Sequence, residues 1–223
     1  MVQNILIHGF GGCPKELNFL NDFLRKHGLN SHVITLTGHG GTKKDLHQTS
    51  YNDWINSAKA EVAKLAANNN KINLIGFSMG GLICIRLAQM FNVNKLVLIN
   101  TPIFFWNLPL IAKRVMQDLL SGTRENIKYY FRSSAKISIK SSIDFLKILF
   151  TTLPLIKCVR SKTLILQCTE DETVYYRSAF YLKRAIGKRT KLLLFKGGCH
   201  LVFVNDIMLR EKYSKHIYNF LLE

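Results

Sequence analysis

At 223 residues and 25.5 kDa the chain suits one domain, and 48% hydrophobic residues with 11% aromatics are too many core-forming side chains for a disordered segment. Its 31 basic residues against 14 acidic ones leave a formal charge of +17, a balance that can draw anionic substrates, acidic membranes or nucleic acid. No zinc-finger spacing, aromatic RNA-binding signature or helix-turn-helix accompanies the charge, so nucleic acid is set aside as a partner.

In chain order, Ile5-Leu6-Ile7 reads as a buried strand that ends at the loop His8-Gly9-Phe10-Gly11-Gly12. Pro14 to His27 has helical spacing, with Leu17, Leu20 and Leu24 on one side and Gly28 as the stop. Ser31 to Leu36 is the next strand, and Gly38-His39-Gly40-Gly41 a loop. Ser50 and Asp53 form a capping box ahead of a helix that runs to about Asn68, with Trp54, Ile55, Ala58, Val62 and Leu65 inward. Ile72 to Ile75 is a strand, and Leu82 to Ala88 a helix. Lys95 to Asn100, Thr163 to Cys168 and Lys191 to Phe195 are short apolar runs suited to strands buried on both faces of a parallel sheet. Helical patterns cover Tyr175–Ile186 and Asp206–Leu222. Alternating strands and helices predict an α/β protein with a doubly wound, mostly parallel sheet. Residues 103–158 break the alternation. They are rich in helical pattern and aromatics and follow the end of a strand, and the stretch 103–160 carries ten basic residues against three acidic ones, so residues 103–158 are expected to form an inserted helical cap. Within them, Phe145 to Ile156 is the longest greasy stretch, but Lys147 and Pro154 interrupt it and it is shorter than the ~20 apolar residues of a membrane span.

Gly76-Phe77-Ser78-Met79-Gly80 sits between a strand and a helix, and this context carries the chemistry. A chain that turns sharply from strand to helix at a serine needs small neighbours, because a Cβ there would strike adjacent backbone. G-x-S-x-G in this setting resembles the nucleophile elbow of α/β-hydrolases. The turn lifts the Ser78 hydroxyl clear of the sheet and puts a helix N-terminus beneath it, where free N–H groups favour a developing oxyanion. A serine hydroxyl needs a base, and the base needs a third group that holds its tautomer. In this fold the chain order is serine, acid, histidine. Of the seven histidines only His200 and His216 follow Ser78, and His216 falls in the last helical pattern. His200 lies in a glycine-rich loop just past a buried strand and is the expected general base. Glu170, Asp171 and Glu172 all occupy the loop where the acid belongs, with Asp171 the first choice. His8, Ser78, Asp171 and His200 all stand just past the carboxyl ends of predicted strands, where open α/β sheets bind ligands.

Six motifs together resemble the small bacterial carboxylesterases and monoacylglycerol lipases of the α/β-hydrolase superfamily. They are His8-Gly9-Phe10, Leu36-Thr37-Gly38-His39-Gly40, Asp53-Trp54, Gly76 to Gly81, Asp171 with Val174, and Gly198-Cys199-His200. The resemblance spans nearly the whole chain. It implies one α/β-hydrolase domain over 1–223, with Ser78, Asp171 and His200 as triad and the N–H groups of Phe10 and Met79 as oxyanion hole. It also implies a serine carboxylesterase for short- to medium-chain acyl esters, including monoacylglycerols. The same triad could serve a thioesterase or an acyltransferase that uses an anionic acyl carrier. His8 is read as a structural residue that hydrogen-bonds its loop, and the Phe10 side chain as a lining of the acyl pocket. No cofactor or metal is expected. The five cysteines are odd in number and contain no C-x-x-C pair, and the opening Met1-Val2-Gln3-Asn4 has no leader pattern, so a reducing, cytoplasmic setting is expected. The basic cap is a candidate contact for an anionic membrane.

Overall fold

The computed structural model describes residues 2–67, 71–104 and 138–223. The greater part of the segment expected as a cap, 105–137, lies outside the described residues, together with six of its nine basic side chains.

Six strands form one sheet in the order β2-β1-β3-β4-β5-β6: β1 (Val2–Ile7), β2 (Ser31–Ile34), β3 (Lys71–Phe77), β4 (Val93–Ile99), β5 (Lys162–Cys168) and β6 (Thr190–Phe195). Every pairing is parallel, so all carboxyl ends reach the same edge of the sheet. The six apolar runs of the sequence are these six strands.

Alternation along the strands separates two cores. Ile5, Ile7, Leu74, Leu96 and Leu98 face helices α3 (Tyr51–Ala67) and α4 (Met79–Leu87), while Leu6, Ile75, Val97 and Ile99 face α1 (Asn18–Lys26) and the last helix, Ile207–Leu222. The Ser50–Asp53 capping box forms as read: the Ser50 N–H donates to Asp53 Oδ2 (2.8 Å), and the Asp53 N–H donates to Ser50 Oγ (3.4 Å). A short helix α2 (Lys43–Gln48) interrupts the loop after β2, held by a second capping box between Thr42 and Asp45. Pro14 opens a 3-10 turn, Pro14–Leu17, that leads into α1.

The helix Ile139–Thr152 and the 3-10 turn Leu153–Cys158 complete the first core through Ile148, Leu149 and Ile156. Arg86 of α4 donates to the hydroxyls of Thr151 and Thr152 and ties the two helices. From the same helix Phe145 stacks on Phe10, 5.2 Å between ring centroids, so this element also bears on the loop after β1.

Candidate active site

Ser78 follows β3 with φ 53° and ψ −123°, outside the comfortable regions for a residue with a Cβ. The turn persists because its neighbours are packed to the backbone. A Cβ on Gly80 would lie 2.1 Å from the Ile7 carbonyl oxygen, and one on Gly76 would lie 2.5 Å from the Gly80 backbone. α4 therefore presses directly on β1 and β3, and the Ser78 N–H is fixed on the Ile99 carbonyl (2.8 Å). Met79 and Gly80 begin α4, where N–H groups have no partner within the helix.

His200 closes the loop after β6, in which Gly197 and Gly198 take φ of 78° and 77°. Its Nε2 lies 3.0 Å from Ser78 Oγ, and its Nδ1 lies 2.8 Å from Asp171 Oδ2. Asp171 is fully buried, and its other oxygen accepts the N–H groups of Thr173 and Val174, each at 2.8 Å. The valine three residues on thus supplies a backbone clamp for the carboxylate. Of the neighbouring acids, Glu170 is exposed and Glu172 is buried, and Asp171 is the one hydrogen-bonded to the imidazole.

The loop after β1 passes beside the serine, since a Cβ on Gly9 would lie 3.3 Å from Ser78 Cβ. Both polar groups of Gly9 are held. Its N–H donates to Glu16 Oε2 (3.1 Å), and its carbonyl faces His8 Nδ1 (2.9 Å) and the Gly12 N–H (3.3 Å). The Leu36 N–H donates to His8 Nε2 (3.2 Å), which leaves the proton on Nδ1 to bind the Gly9 carbonyl. The C=O of Gly9 and the N–H of Phe10 belong to one peptide plane and point opposite ways. By gripping the carbonyl, His8 fixes the direction of the Phe10 N–H. The reading of His8 as a residue that hydrogen-bonds its loop accords with these contacts. The Phe10 ring packs on Trp54 and Phe145, with His39 beyond.

Proteins of known family share this architecture. Residues 5–126 match the alpha/beta hydrolase fold family. The chain belongs to that family. Over 85 residues it is 32% identical to a thermostable monoacylglycerol lipase of Bacillus sp. (strain H-257), a match that takes in 38% of this chain and 34% of that lipase. Over 188 residues it is 26% identical to a carboxylesterase of Bacillus subtilis (strain 168), covering 78% of this chain and 74% of the relative. A soluble variant of the Saccharomyces cerevisiae monoglyceride lipase superposes with a TM-score of 0.76 at 17% identity, over 98% of this chain and 85% of that one. At such identity the likeness is one of fold.

In this α/β-hydrolase chain burial would lower the His200 pKa, but the charge and hydrogen bond of Asp171, with Glu172 and Glu16 farther off, raise it above the ordinary 6.5. Burial raises the pKa of Glu16, against the pull of the Gly9 N–H and His200. Nothing in the sequence singled out Glu16, which reaches the site only because the 3-10 turn folds under the His8–Gly12 loop. Among the described residues no group of three or more His, Cys, Asp or Glu side chains could hold a metal ion, and no helix is long and apolar enough to cross a membrane.

Proposed function

We propose that the protein is a serine carboxylesterase that hydrolyses short- to medium-chain acyl esters, monoacylglycerols among them. The observation that carries this reading is the hydrogen-bonded row Asp171–His200–Ser78 at the N-terminus of α4. Ser78 Oγ attacks the ester carbonyl carbon while its proton passes to His200 Nε2. Asp171 stabilises the imidazolium through Nδ1. The carbonyl oxygen, now an anion, accepts the N–H groups of Phe10 and Met79. Collapse of the tetrahedral adduct expels the alcohol, which takes the proton from His200, and leaves an acyl group on Ser78. Water then gives a proton to His200 and attacks the acyl carbon. Collapse releases the carboxylic acid and returns the proton to Ser78. The five cysteines are free, in keeping with the reducing, cytoplasmic setting proposed with this activity.

The test is turnover of p-nitrophenyl esters of increasing acyl length, before and after a serine-directed phosphonate, with mass spectrometry of the treated protein. Turnover that disappears in Ser78→Ala, with the adduct on Ser78, is the expected result. Absence of both turnover and adduct in the native sequence would overturn the reading. A higher kcat/KM on acyl thioesters than on the matching oxygen esters would reassign the substrate class and leave the mechanism intact.

A further inference from the structure

Ser78 and Asn100 are the two non-glycine residues with positive φ among the described residues, and they follow the neighbouring strands β3 and β4. Asn100 has φ 45° and is fully buried. A left-handed backbone is costly for a residue with a Cβ, and asparagine tolerates it better than most. Strain of this kind persists where the surroundings over-determine it, and here they do. The Asn100 N–H donates to the Leu166 carbonyl on β5 (2.9 Å). Its Oδ1 accepts the Cys168 N–H (3.1 Å), three residues before Asp171. Its Nδ2 donates to the His200 carbonyl (3.0 Å). One residue earlier, the Ile99 carbonyl holds the Ser78 N–H (2.8 Å).

We infer that Asn100 is a positioning residue that keeps the base and the acid in register with the nucleophile. The inference rests on the esterase reading above. Residues 99 and 100 grip backbone on each of the three chain segments that bring Ser78, Asp171 and His200 together. A carboxamide suits the place because one side must accept an N–H and the other must donate to a C=O. Aspartate offers no donor, leucine offers neither group, and glutamine is one methylene too long. The His200 carbonyl lies on the backbone that bears the imidazole, so the grip of Nδ2 governs how closely Nε2 meets Ser78 Oγ. A shift of the order of 1 Å between reacting groups costs about 100-fold in rate.

The experiment compares Asn100→Asp and Asn100→Gly with the native sequence. The aspartate variant keeps an acceptor for Cys168 and sets an oxygen against the His200 carbonyl. The glycine variant loses both side-chain bonds but adopts the left-handed backbone freely. Esterase kinetics should show kcat lowered by about 100-fold with KM little changed. The low-field proton resonance of the His200–Asp171 hydrogen bond should broaden or move. A purely structural residue would lower Tm and leave kcat and this resonance alone. Both variants within about threefold of native kcat, with the resonance unmoved, would overturn the inference. In the native protein the Asn100 Nδ2 protons should exchange slowly with solvent, and fast exchange would overturn it even if neither variant folds. If the native protein lacks esterase turnover and the serine adduct, the esterase reading fails. The resonance and the exchange rates then still judge Asn100.

Discussion

Replacing Asp171 by asparagine should leave the fold intact and nearly abolish turnover, and the orientation of the new carboxamide follows from its surroundings. Oδ1 of Asp171 accepts two backbone N–H groups, from Thr173 and Val174, while Oδ2 faces His200 Nδ1. An asparagine must set its oxygen against the two backbone donors, because the opposite flip would place an NH2 group against both. Its NH2 then points at His200 Nδ1, which has to become an acceptor. The imidazole proton moves to Nε2, facing Ser78, and the ring can no longer take the serine proton. A histidine held in the wrong tautomer costs about 10^4-fold in kcat, or about 5 kcal/mol in the barrier. Steady-state kinetics on a p-nitrophenyl ester would measure the loss, and 15N shifts of the labelled imidazole would report the tautomer. Turnover above about a tenth of native, or a proton still on Nδ1, would refute the reasoning.

The acidic limb of kcat/KM should lie above pH 6.5, because Asp171, Glu172 and Glu16 outweigh burial in raising the His200 pKa. Glu16→Gln, which keeps an acceptor for the Gly9 N–H, and Glu172→Gln should each move that limb to lower pH, and a limb that stays put or rises in both would sink the assignment. Gly80→Ala should destabilise by about 3 kcal/mol or more, since its Cβ would meet the Ile7 carbonyl oxygen and no flexible side chain is there to yield. Urea unfolding checks this, and a midpoint equal to native would contradict the packing. His39 is buried, with its pKa lowered from 6.5 to about 4 chiefly by desolvation. The unfolded chain takes up a proton there that the folded chain refuses, so stability is complete above pH 6.5 and falls as the pH drops towards 4. The loss is about 3 kcal/mol by linkage. His39→Gln should flatten that decline in equilibrium unfolding measured between these pH values, and an unchanged slope would count against it.

The sheet was legible because each strand is a compact apolar run and the buried parallel arrangement follows from that pattern. Ser78, Asp171 and His200, the proposed triad, stand out in the sequence because the roles proposed for them bring local signatures: glycines at the elbow, an acid three residues ahead of a valine, and a histidine just past a pair of glycines. α2 is hard to see in the sequence although Thr42 and Asp45 stand at capping-box spacing, because six residues hold little periodicity. The 3-10 start of the first helix is not separable from α1 by sequence, since Pro14 suits the first turn of either. Asn100 and Glu16 left no local trace. One looks like the polar end of a strand and the other like a surface position on a helix. Their significance comes from contacts 68 to 100 residues away for Asn100, and from a loop folding back over seven residues for Glu16.

The strand order places the proposed base at the rim of the sheet. His200 is carried by β6, which pairs with β5 alone among the described strands and whose Lys191 and Leu194 are exposed. Rim strands open at a lower free energy than central ones. Warming or mild denaturant will therefore loosen the histidine while β1, β3 and β4 are still intact, with Asn100 and Asp171 as the tethers that delay its departure. A shelf life judged by turnover will be shorter than one judged by circular dichroism, and mending the seam between β5 and β6 will lengthen it more than further packing at the centre.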